Sequence, residues 1–257
     1  MINSLAGQLP EGGLIIQWPF REPHHSSSIA ALVGGGTKAR PGEVSLAHGG
    51  VLFLDELAEW QRGHLDALRQ TVESGKAVVS RANHHVTYPA RFQLIAAMNP
   101  CRCGYLGDPA RACTKAPLCS RQYLSRISGP MLDRFDMMIE VGEVPISAMS
   151  RSGEGEDTAV ILERVHAARE FASIRPQQKD NPINAQLPPD RLEDAVRLQA
   201  KASKLIEDAA EKQGLSARGY HRVLKVARTI ADLDHSGDVT TAHAGEALQY
   251  RRLPVQA

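Results

Sequence analysis

Two short and almost uninterrupted apolar runs, at residues 51–54 and 92–98, stand out in the first half of the chain. Runs of this length are typical of strands that are buried on both faces of a parallel sheet. Residues 57–74, between them, carry apolar side chains at the spacing of one helix face, and Gly75 follows as a stop. Together with a third short run at residues 137–141, the pattern predicts the strands and a helix of an α/β fold.

The segments around these runs predict shorter elements. Residues 29–33 follow a serine that can cap a short helix, and three glycines at residues 34–36 end it. Apolar residues at 77–80 and 86–89 flank a polar segment, which predicts a β-hairpin with a basic tip.

The second half of the chain is predicted to be helical. Apolar residues recur at helical spacing in three segments, and a last helix begins at Thr240 or Thr241 and ends near Arg252. The three segments are residues 157–171, 190–212 and 216–233. Basic residues along the third segment, among them Arg228, form a stripe that predicts a solvated helix face.

A change of composition separates the two halves. Small and polar residues at 146–156 predict a linker. The sequence therefore predicts an α/β core over residues 1–145 and a helical domain over residues 157–257.

Charge and composition narrow the classes of function. The 257 residues hold 30 Lys and Arg against 29 Asp and Glu, a formal net charge of +1, so any contact with nucleic acid must be local. No apolar run is long enough to span a bilayer, and the first residues lack the pattern of a secretory signal. We therefore expect a cytoplasmic protein without a membrane partner.

The first buried run ends in two adjacent carboxylates, Asp55 and Glu56. Ligands of open α/β sheets bind at the carboxyl ends of the strands, where such groups can hold Mg²⁺ and activate the water that attacks a phosphate. Asn99 follows the second run and would lie at the same edge of a parallel sheet. Purely structural explanations of these residues also exist, since acidic residues favour a helix N-terminus and an asparagine before a proline, as at Asn99-Pro100, is common in turns. Together, the two strand ends favour a site that hydrolyses a nucleotide.

The four cysteines of the chain all lie between residues 101 and 119. In a reducing compartment, such a cluster indicates either a metal site or free thiols rather than disulfides. Four thiolates suit structural zinc, although C-x-C is an unusual spacing for such a site. The candidate zinc ligands are Cys101, Cys103, Cys113 and Cys119.

Four longer motifs occur within the predicted α/β core: PFREPHH at residues 19–25, RPGEVSLAH at 40–48, NPCRCGY at 99–105 and ISGPMLDRFD at 127–136. They resemble motifs of the magnesium-chelatase-like family of AAA+ ATPases, in its ComM branch rather than the branch of the metal-inserting chelatase subunit. The resemblance covers essentially the whole chain. It implies a partial P-loop NTPase core, with a parallel sheet and flanking helices, followed by an α-helical lid domain.

The resemblance implies a role for each of five side chains in the binding and hydrolysis of ATP with Mg²⁺. Asp55 would coordinate Mg²⁺ through water, and Glu56 would be the catalytic base. Asn99 would be the sensor-1 residue, which contacts the nucleotide and the attacking water. Arg134 would be the arginine finger that reaches the γ-phosphate in a neighbouring subunit, and Arg218 would be the sensor-2 residue of the lid. Without the resemblance, both arginines would be interpreted as charged residues on the surface.

The resemblance also implies partners. ATPases of this kind form homo-hexameric rings, and their hairpin insertions face the central pore. Arg81, His84 and His85 at the hairpin tip are therefore candidate contacts to DNA, either single-stranded or branched double-stranded. A solvated turn explains the same residues equally well, because one arginine and two histidines make a weak basic footprint. The adjacent pair His24-His25 is not expected to bind a metal, since neighbouring residues of a strand point to opposite faces.

The phosphate-binding motif G-x-x-x-x-G-K-[ST] occurs nowhere in these 257 residues. In the family, this loop lies upstream of the segment that resembles residues 4–7. We therefore expect a truncated or split gene product, or a fragment, that binds ATP poorly and hydrolyses it negligibly on its own.

Three functions remain open on the sequence. The first is a segment of a ring-forming ATPase that remodels DNA, as a helicase for branch migration in recombination or transformation. The second is a chelatase-type ATPase that drives metal insertion into a porphyrin. The third is a non-catalytic remnant that only oligomerises or binds DNA.

Overall fold

The computed structural model describes residues 2–7, 17–81, 84–106, 113–142, 144, 155–179 and 183–251. The chain forms two compact units, Met1–Phe135 and Asp136–Ala257. Each unit has a hydrophobic core of its own. Among the described residues, no helix is both long enough and apolar enough to cross a bilayer.

A three-stranded parallel sheet forms the centre of the first unit. Its strands lie in the order β1 (Phe20–Arg21), β4 (Val51–Leu54) and β7 (Gln93–Ala96). Leu54 and Ala96 are partners in the register of β4 and β7, so these strands end side by side. The sheet and its flanking helices confirm the predicted α/β fold class.

The other elements of this unit are short helices and strands around the sheet. They are α1 (Ile2–Leu5), α2 (Ile29–Val33), β2 (Gly34–Gly35), β3 (Arg40–Pro41), α3 (Glu43–Leu46), α4 (Arg62–Ser74), β5 (Lys76–Arg81), β6 (His84–Pro89), α5 (Leu118–Leu124) and α6 (Gly129–Leu132). Strands β5 and β6 form the predicted antiparallel hairpin. Ser28 caps α2 by accepting a hydrogen bond from the Ala31 N–H, as the sequence predicts.

The helix predicted over residues 57–74 is interrupted. A single 3-10 turn, Leu57–Glu59, precedes α4, and the backbone between the two is extended. Trp60 lies in this break and is 3% exposed, and its indole Nε1–H donates to the Asp55 carbonyl (3.0 Å). Burial of the indole ring with its polar group satisfied therefore outweighs a continuous helix at this point. Helix α4 itself buries one face, as predicted.

Strand β1 approaches β4 closely at Gly50. The Val51 N–H donates to the Pro19 carbonyl (2.8 Å). A Cβ atom on Gly50 would overlap that same carbonyl. Glycine is needed here because of the close backbone approach, which keeps the short β1 paired with β4.

The core of the first unit anchors β4. Leu52 and Leu54 on this strand and Leu68 on α4 have 0% exposed surface and belong to one apolar cluster. Burial of each leucine side chain contributes roughly 2 kcal/mol to folding. The carboxyl end of β4 therefore projects from a firmly packed strand.

Helices make up most of the second unit. They are α7 (Thr158–Ser173), α8 (Pro189–Val196), α9 (Ala200–Gln213), α10 (Ala217–Leu233) and α11 (Thr241–Gln249), with 3-10 turns at Pro176–Gln178 and Asn184–Gln186. The single helix predicted over residues 190–212 is divided into α8 and α9. Arg197 adopts a left-handed backbone (φ 49°) between them, and Leu198 pairs with Val239 in an isolated β-bridge. The bridge, which a helical periodicity does not reveal, explains the break.

The strand predicted over residues 137–141 is absent, since residues 137–142 form no helix or strand. The Met138 N–H donates to the Tyr250 carbonyl (2.8 Å). Ile139 and Val141 are 68% and 86% exposed. The prediction is wrong because an apolar run needs a partner strand for its backbone groups, and no strand pairs with this run among the described residues.

Most of the predicted linker over residues 146–156 lies outside the described residues. The two compact units divide between Phe135 and Asp136. The domain limits given by the sequence remain a prediction.

Candidate functional site

The carboxyl end of β4 turns sharply at the predicted acidic pair. Asp55 and Glu56 are exposed, and Glu56 has a left-handed backbone (φ 50°, ψ 46°). The Glu56 N–H donates to Asp55 Oδ1 (2.8 Å). A residue other than glycine in this conformation costs about 1–3 kcal/mol, and such residues cluster at functional sites. The strand end is therefore locally strained at the predicted catalytic base.

Hydrogen bonds join this turn to the end of β7. The Leu57 N–H donates to the Ala97 carbonyl (2.9 Å), and the Ala97 N–H donates to the Leu54 carbonyl (2.9 Å). Asn99 follows two residues later and is exposed. The structure therefore brings the acidic pair and Asn99 to the same edge of the sheet.

A histidine also reaches this edge. His25 follows β1, the other neighbour of β4, and its Nδ1 lies 3.1 Å from Glu56 Oε2. The ring of His24 lies against that of His25, with centroids 4.2 Å apart. No role for His25 at the acidic edge is predicted from the sequence. The strand order supplies the missing signal, because the segment after β1, a strand parallel to β4, leaves the sheet at the same edge.

The donor atoms at this edge suit a nucleotide bound with magnesium. Mg²⁺ prefers oxygen ligands and keeps several of its waters. Asp55, Glu56 and Asn99 offer exposed carboxylate and amide oxygens. The residues present therefore fit the ion that the sequence predicts.

The four cysteines come together in the loop that follows Asn99. Their sulfur atoms all lie within 4.8 Å of one another, and those of Cys101 and Cys103 are 3.2 Å apart. Zinc–sulfur bonds of about 2.3 Å place the sulfurs of a tetrahedral site about 3.8 Å apart. Cys101 is buried, Cys103 is exposed, and Cys113 and Cys119 are partly buried. The cluster therefore has the size and chemistry to hold a metal ion.

The pKa values of the thiols in the cluster are shifted in different directions. Burial raises the pKa of Cys101, but hydrogen bonds from the Cys103 thiol and from backbone N–H groups of the loop outweigh it and lower that pKa. The Lys115 N–H is the main cause of the lowered pKa of Cys113. The Tyr105 N–H lowers the pKa of Cys103, but hydrogen bonding with Cys101 and Cys113 raises it to about 12. A bound cation would replace the shared protons, because thiolates rather than thiols bind metals.

Arg134, the predicted arginine finger, is held within the first unit. Its side chain is 6% exposed and forms an ion pair with Glu73 of α4. Its Nη1 donates to the Pro130 carbonyl (3.0 Å). The guanidinium therefore has partners in its own chain, and its action on a neighbouring subunit remains a prediction.

Arg218, the predicted sensor-2 residue, lies in the second unit. It is exposed in the first turn of α10. The Ser216 hydroxyl caps this helix by accepting a hydrogen bond from the Gly219 N–H (3.1 Å), as the sequence predicts. The sensor-2 role remains a prediction.

The basic stripe of α10 is not solvated along its whole length. Arg228 is 0% exposed and pairs with Asp232 (3.1 Å). It also donates to the carbonyls of Val196 (3.2 Å) and Gly237 (2.9 Å). Burial lowers the pKa of Arg228, and the Asp232 carboxylate opposes this shift. The predicted solvated face is wrong at this position, because the buried guanidinium donates to carbonyls at the end of α8 and in the loop after α10.

The tip of the hairpin lies partly outside the described residues. Arg81 and His84 pair in the register of β5 and β6, and His85 is exposed. Residues 82–83 and the side chains of Arg81 and His84 are outside the described part. Contacts of Arg81, His84 and His85 with DNA remain a prediction.

The family model of magnesium chelatase, subunit ChlI, matches residues 1–149, and that of the ChlI C-terminal region matches residues 155–251. The chain belongs to the magnesium chelatase ChlI family. The family that the motifs resemble is thereby confirmed.

Individual relatives within this family differ in how much of the chain they match. The competence protein ComM of Haemophilus influenzae is 48% identical over 239 residues, which is 92% of this chain and 46% of the relative. The uncharacterized protein YifB of Escherichia coli is 46% identical over 241 residues, with the same coverage of 92% and 46%. The magnesium-chelatase 38 kDa subunit of Acidiphilium rubrum is 37% identical over 70 residues, or 27% of this chain and 20% of that subunit. The chain thus spans about half the length of the curated relatives that it matches over most of its own.

The two family matches together contain every candidate residue of this ChlI family member. The acidic edge, the cysteine cluster and Arg134 fall in the first match, and Arg218 falls in the second.

Proposed function

We propose that this chain is part of an AAA+ ATPase that couples ATP hydrolysis to DNA remodelling, as a helicase or branch-migration motor in recombination or transformation. The sheet edge carries the proposal, because Asp55, Glu56 and Asn99 follow two adjacent parallel strands there. Membership of the magnesium chelatase family supports ATP hydrolysis. The name of the Haemophilus influenzae relative, a competence protein, supports a DNA substrate.

In the proposed reaction, the acidic edge acts on the terminal phosphate of ATP. Asp55 would hold the Mg²⁺ ion that accompanies ATP, and the bound ion would supply positive charge that neutralises the phosphate oxygens. Glu56 takes the proton of the attacking water, and Asn99 holds that water in line with the bond that breaks. The turn at Glu56 is followed directly by the hydrogen bond from the Leu57 N–H to the Ala97 carbonyl, which links the ends of β4 and β7. This link supports a fixed spacing between the acidic pair and Asn99.

The two arginines complete the proposed site in a homo-hexameric ring. Arg218 contacts the nucleotide from the helical lid domain. Arg134 reaches the γ-phosphate bound by a neighbouring subunit, so its ion pair with Glu73 must open when the ring assembles. An arginine suits this task because its planar fork matches phosphate oxygens and is always charged. The hairpin tip faces DNA in the pore.

A chelatase-type ATPase that inserts a metal into a porphyrin is the second candidate. The similarity to the magnesium-chelatase 38 kDa subunit favours it, but this match covers 27% of the chain. The match to the competence protein covers 92%. The DNA motor is therefore the better supported of the two.

These 257 residues taken alone contain no phosphate-binding loop motif. Backbone N–H groups of such a loop supply most of the contacts to the phosphates. The third candidate, a remnant that oligomerises or binds DNA without catalysis, therefore describes this segment in isolation, and the motor describes an intact protein that contains it.

We also propose that the four cysteines bind a structural zinc ion. Thiolates are the preferred ligands of zinc, and four of them form a closed tetrahedral site without an open position for catalysis. The support is the convergence of the four sulfur atoms within 4.8 Å.

The proposed ATPase is tested in an intact protein that joins this segment to a phosphate-binding loop. Glu56→Gln should lower ATP hydrolysis by at least about 100-fold and leave ATP binding intact, because it removes only the base. Glu163→Gln, at an exposed position of α7, is the control and should change neither. Hydrolysis by the Glu56→Gln protein at the rate of the control would remove the acidic edge from the mechanism. Strand displacement on a branched DNA, measured in the same proteins, should stop together with hydrolysis, and a motor that still displaced strands would contradict the proposed coupling.

A further inference from the structure

Helix α5 and the residues just after it contact both strand ends of the proposed nucleotide edge. In its first turn, the Ser120 hydroxyl donates to the carbonyl of Pro100 (2.9 Å), the residue that follows Asn99. Just beyond its last turn, Arg126 Nη1 donates to Glu59 Oε2 (2.8 Å). Glu59 ends the 3-10 turn that follows the acidic pair. The α5 segment therefore connects the end of β7 to the end of β4.

Two side chains of this segment hold Glu59. Tyr123 is 4% exposed, and burial together with the neighbouring Glu59 carboxylate raises its pKa. The Arg126 guanidinium lies 5.6 Å from the centroid of the Tyr123 ring. Trp60, the residue after Glu59, donates its indole N–H to the Asp55 carbonyl (3.0 Å). The contacts thus run without interruption from α5 to the acidic pair.

The cysteine cluster lies at the opposite end of the same segment. Cys101 and Cys103 belong to the loop directly after Asn99, and Cys119 is the second residue of α5. Their sulfurs and that of Cys113 lie within 4.8 Å of one another. A metal ion bound to all four would therefore tie the end of β7 to the start of α5.

We infer that a thiolate-bound zinc ion braces the nucleotide edge: it fixes Asn99 through the adjoining loop and the acidic pair through α5. The four ligands are Cys101, Cys103, Cys113 and Cys119. The catalytic role of this edge rests on the proposed ATPase function. The effect of zinc on the position of its residues can be measured without nucleotide. The cysteines are positioning residues in this account, since none of them touches the reacting groups.

Trp60 is a built-in reporter of the far end of the brace. The chain holds two tryptophans. Trp18 is 82% exposed, and Trp60 is 3% exposed. In a Trp18→Phe chain, the fluorescence therefore reports the packing of Trp60 beside the acidic pair, at the opposite end of α5 from the metal.

The experiment removes and restores zinc in the Trp18→Phe chain under reducing conditions. We expect the purified chain to hold one zinc ion, measured by mass spectrometry of the metal. On chelation, Trp60 emission should shift to longer wavelength, and the amides of residues 55–60 and 97–99 should exchange hydrogen at least about tenfold faster. Added zinc should reverse both changes. The circular dichroism of the helices and the exchange in α9 and α10 should stay the same. Cys119→Ser should reproduce the chelated state.

A Glu59→Ala variant separates a brace from a metal that only orders its own loop. It removes the partner of Arg126 and Tyr123 but no cysteine, so the zinc content should be unchanged. Chelation should then still release residues 97–99, whereas Trp60 should no longer respond. Glu163→Ala, at an exposed position on α7, is the matched control and should keep both responses.

Three results would each overturn the inference. They are a chain that holds no zinc and takes up none, zinc removal that leaves Trp60 and both segments unchanged, and unfolding of the whole chain when the metal leaves. None of these measurements involves ATP. Failure of the brace therefore leaves the proposed ATPase standing, and normal hydrolysis by the Glu56→Gln protein would leave the brace standing.

Discussion

The imidazole Nδ1 of His25 lies 3.1 Å from Oε2 of Glu56. The contact joins the segment after β1 to the end of β4. These two strands pair closely because Gly50 has no Cβ atom to meet the Pro19 carbonyl. Both side chains are partly exposed, at 32% and 50%. The carboxylate proposed to activate water is therefore already oriented by a neighbour from an adjacent strand.

His25→Ala should lower the turnover of ATP in the intact ATPase by about 10-fold to 100-fold, because a misplaced catalytic group costs rate. The KM for ATP should change little, since His25 contacts the base rather than the phosphates. Steady-state kinetics give the two values, with His166→Ala on the exposed face of α7 as control. A rise in KM at unchanged turnover would show that His25 serves binding instead.

Arg134→Lys should separate the packing of this residue from its proposed action on a neighbouring subunit. The lysine keeps the charge opposite Glu73 but loses the planar fork and the hydrogen bond to the Pro130 carbonyl, so stability should fall by about 1–3 kcal/mol. ATP hydrolysis by the assembled ring should fall about 1,000-fold. Urea unfolding and an ATPase assay measure the two effects. Arg62→Lys, at an exposed site, should alter neither, and full activity of the Arg134→Lys ring would exclude Arg134 as the finger.

Arg228→Met should destabilise the second unit by about 3–5 kcal/mol. The change leaves the buried Asp232 without one of its ion pairs and removes the donor to the carbonyls of Val196 and Gly237. Urea unfolding followed by circular dichroism measures the loss. Arg169→Met, at an exposed position of α7, should stay within about 0.5 kcal/mol. Equal stability of the two variants would mean that the buried network contributes nothing.

Gly50→Ala should destabilise the first unit by at least about 2 kcal/mol, since the new Cβ would push the Pro19 carbonyl away from β4. Gly245→Ala in α11 is the matched control, because a Cβ there meets nothing within 4 Å. That control should stabilise the protein by about 0.5–1 kcal/mol. Urea midpoints of the two variants should therefore move in opposite directions, and a shift in the same direction would show that β1 does not need this approach.

The 257-residue chain alone should bind ATP poorly and hydrolyse it negligibly, because it contains no phosphate-binding loop motif. Titration with a fluorescent ATP analogue and a phosphate-release assay measure both properties. Micromolar affinity for ATP would contradict this expectation and would mean that the acidic edge binds the nucleotide without such a loop.

The sheet edge could be predicted because its signals are local. An apolar run that ends in Asp55 and Glu56, and another that ends at Asn99, each identify a buried strand and its polar end. The hairpin can be predicted for the same reason, since two short apolar stretches on either side of a polar segment specify it. The meeting of the four cysteines was suggested by their closeness in sequence.

The features that were not predicted depend on contacts between distant residues. The predicted helix over residues 57–74 is interrupted at Trp60 because the indole is buried in the core. The predicted helix over residues 190–212 is interrupted at Arg197 because the next residue, Leu198, pairs with Val239. The burial of Arg228 could not be predicted, because the carbonyls that accept its hydrogen bonds belong to residues distant from it in the sequence. The contact of His25 with Glu56 required the strand order, which the sequence pattern does not contain.

The left-handed backbone of Glu56 sets stability and chemistry against each other at one position. Glycine or asparagine would adopt φ 50° at lower cost than glutamate. In a library randomised at this position, selection for thermal stability alone would enrich these two residues, whereas selection for ATP turnover would retain glutamate. The two selections would thus diverge at the proposed base, where the fold keeps a carboxylate in a conformation that a purely structural turn would give to a smaller residue.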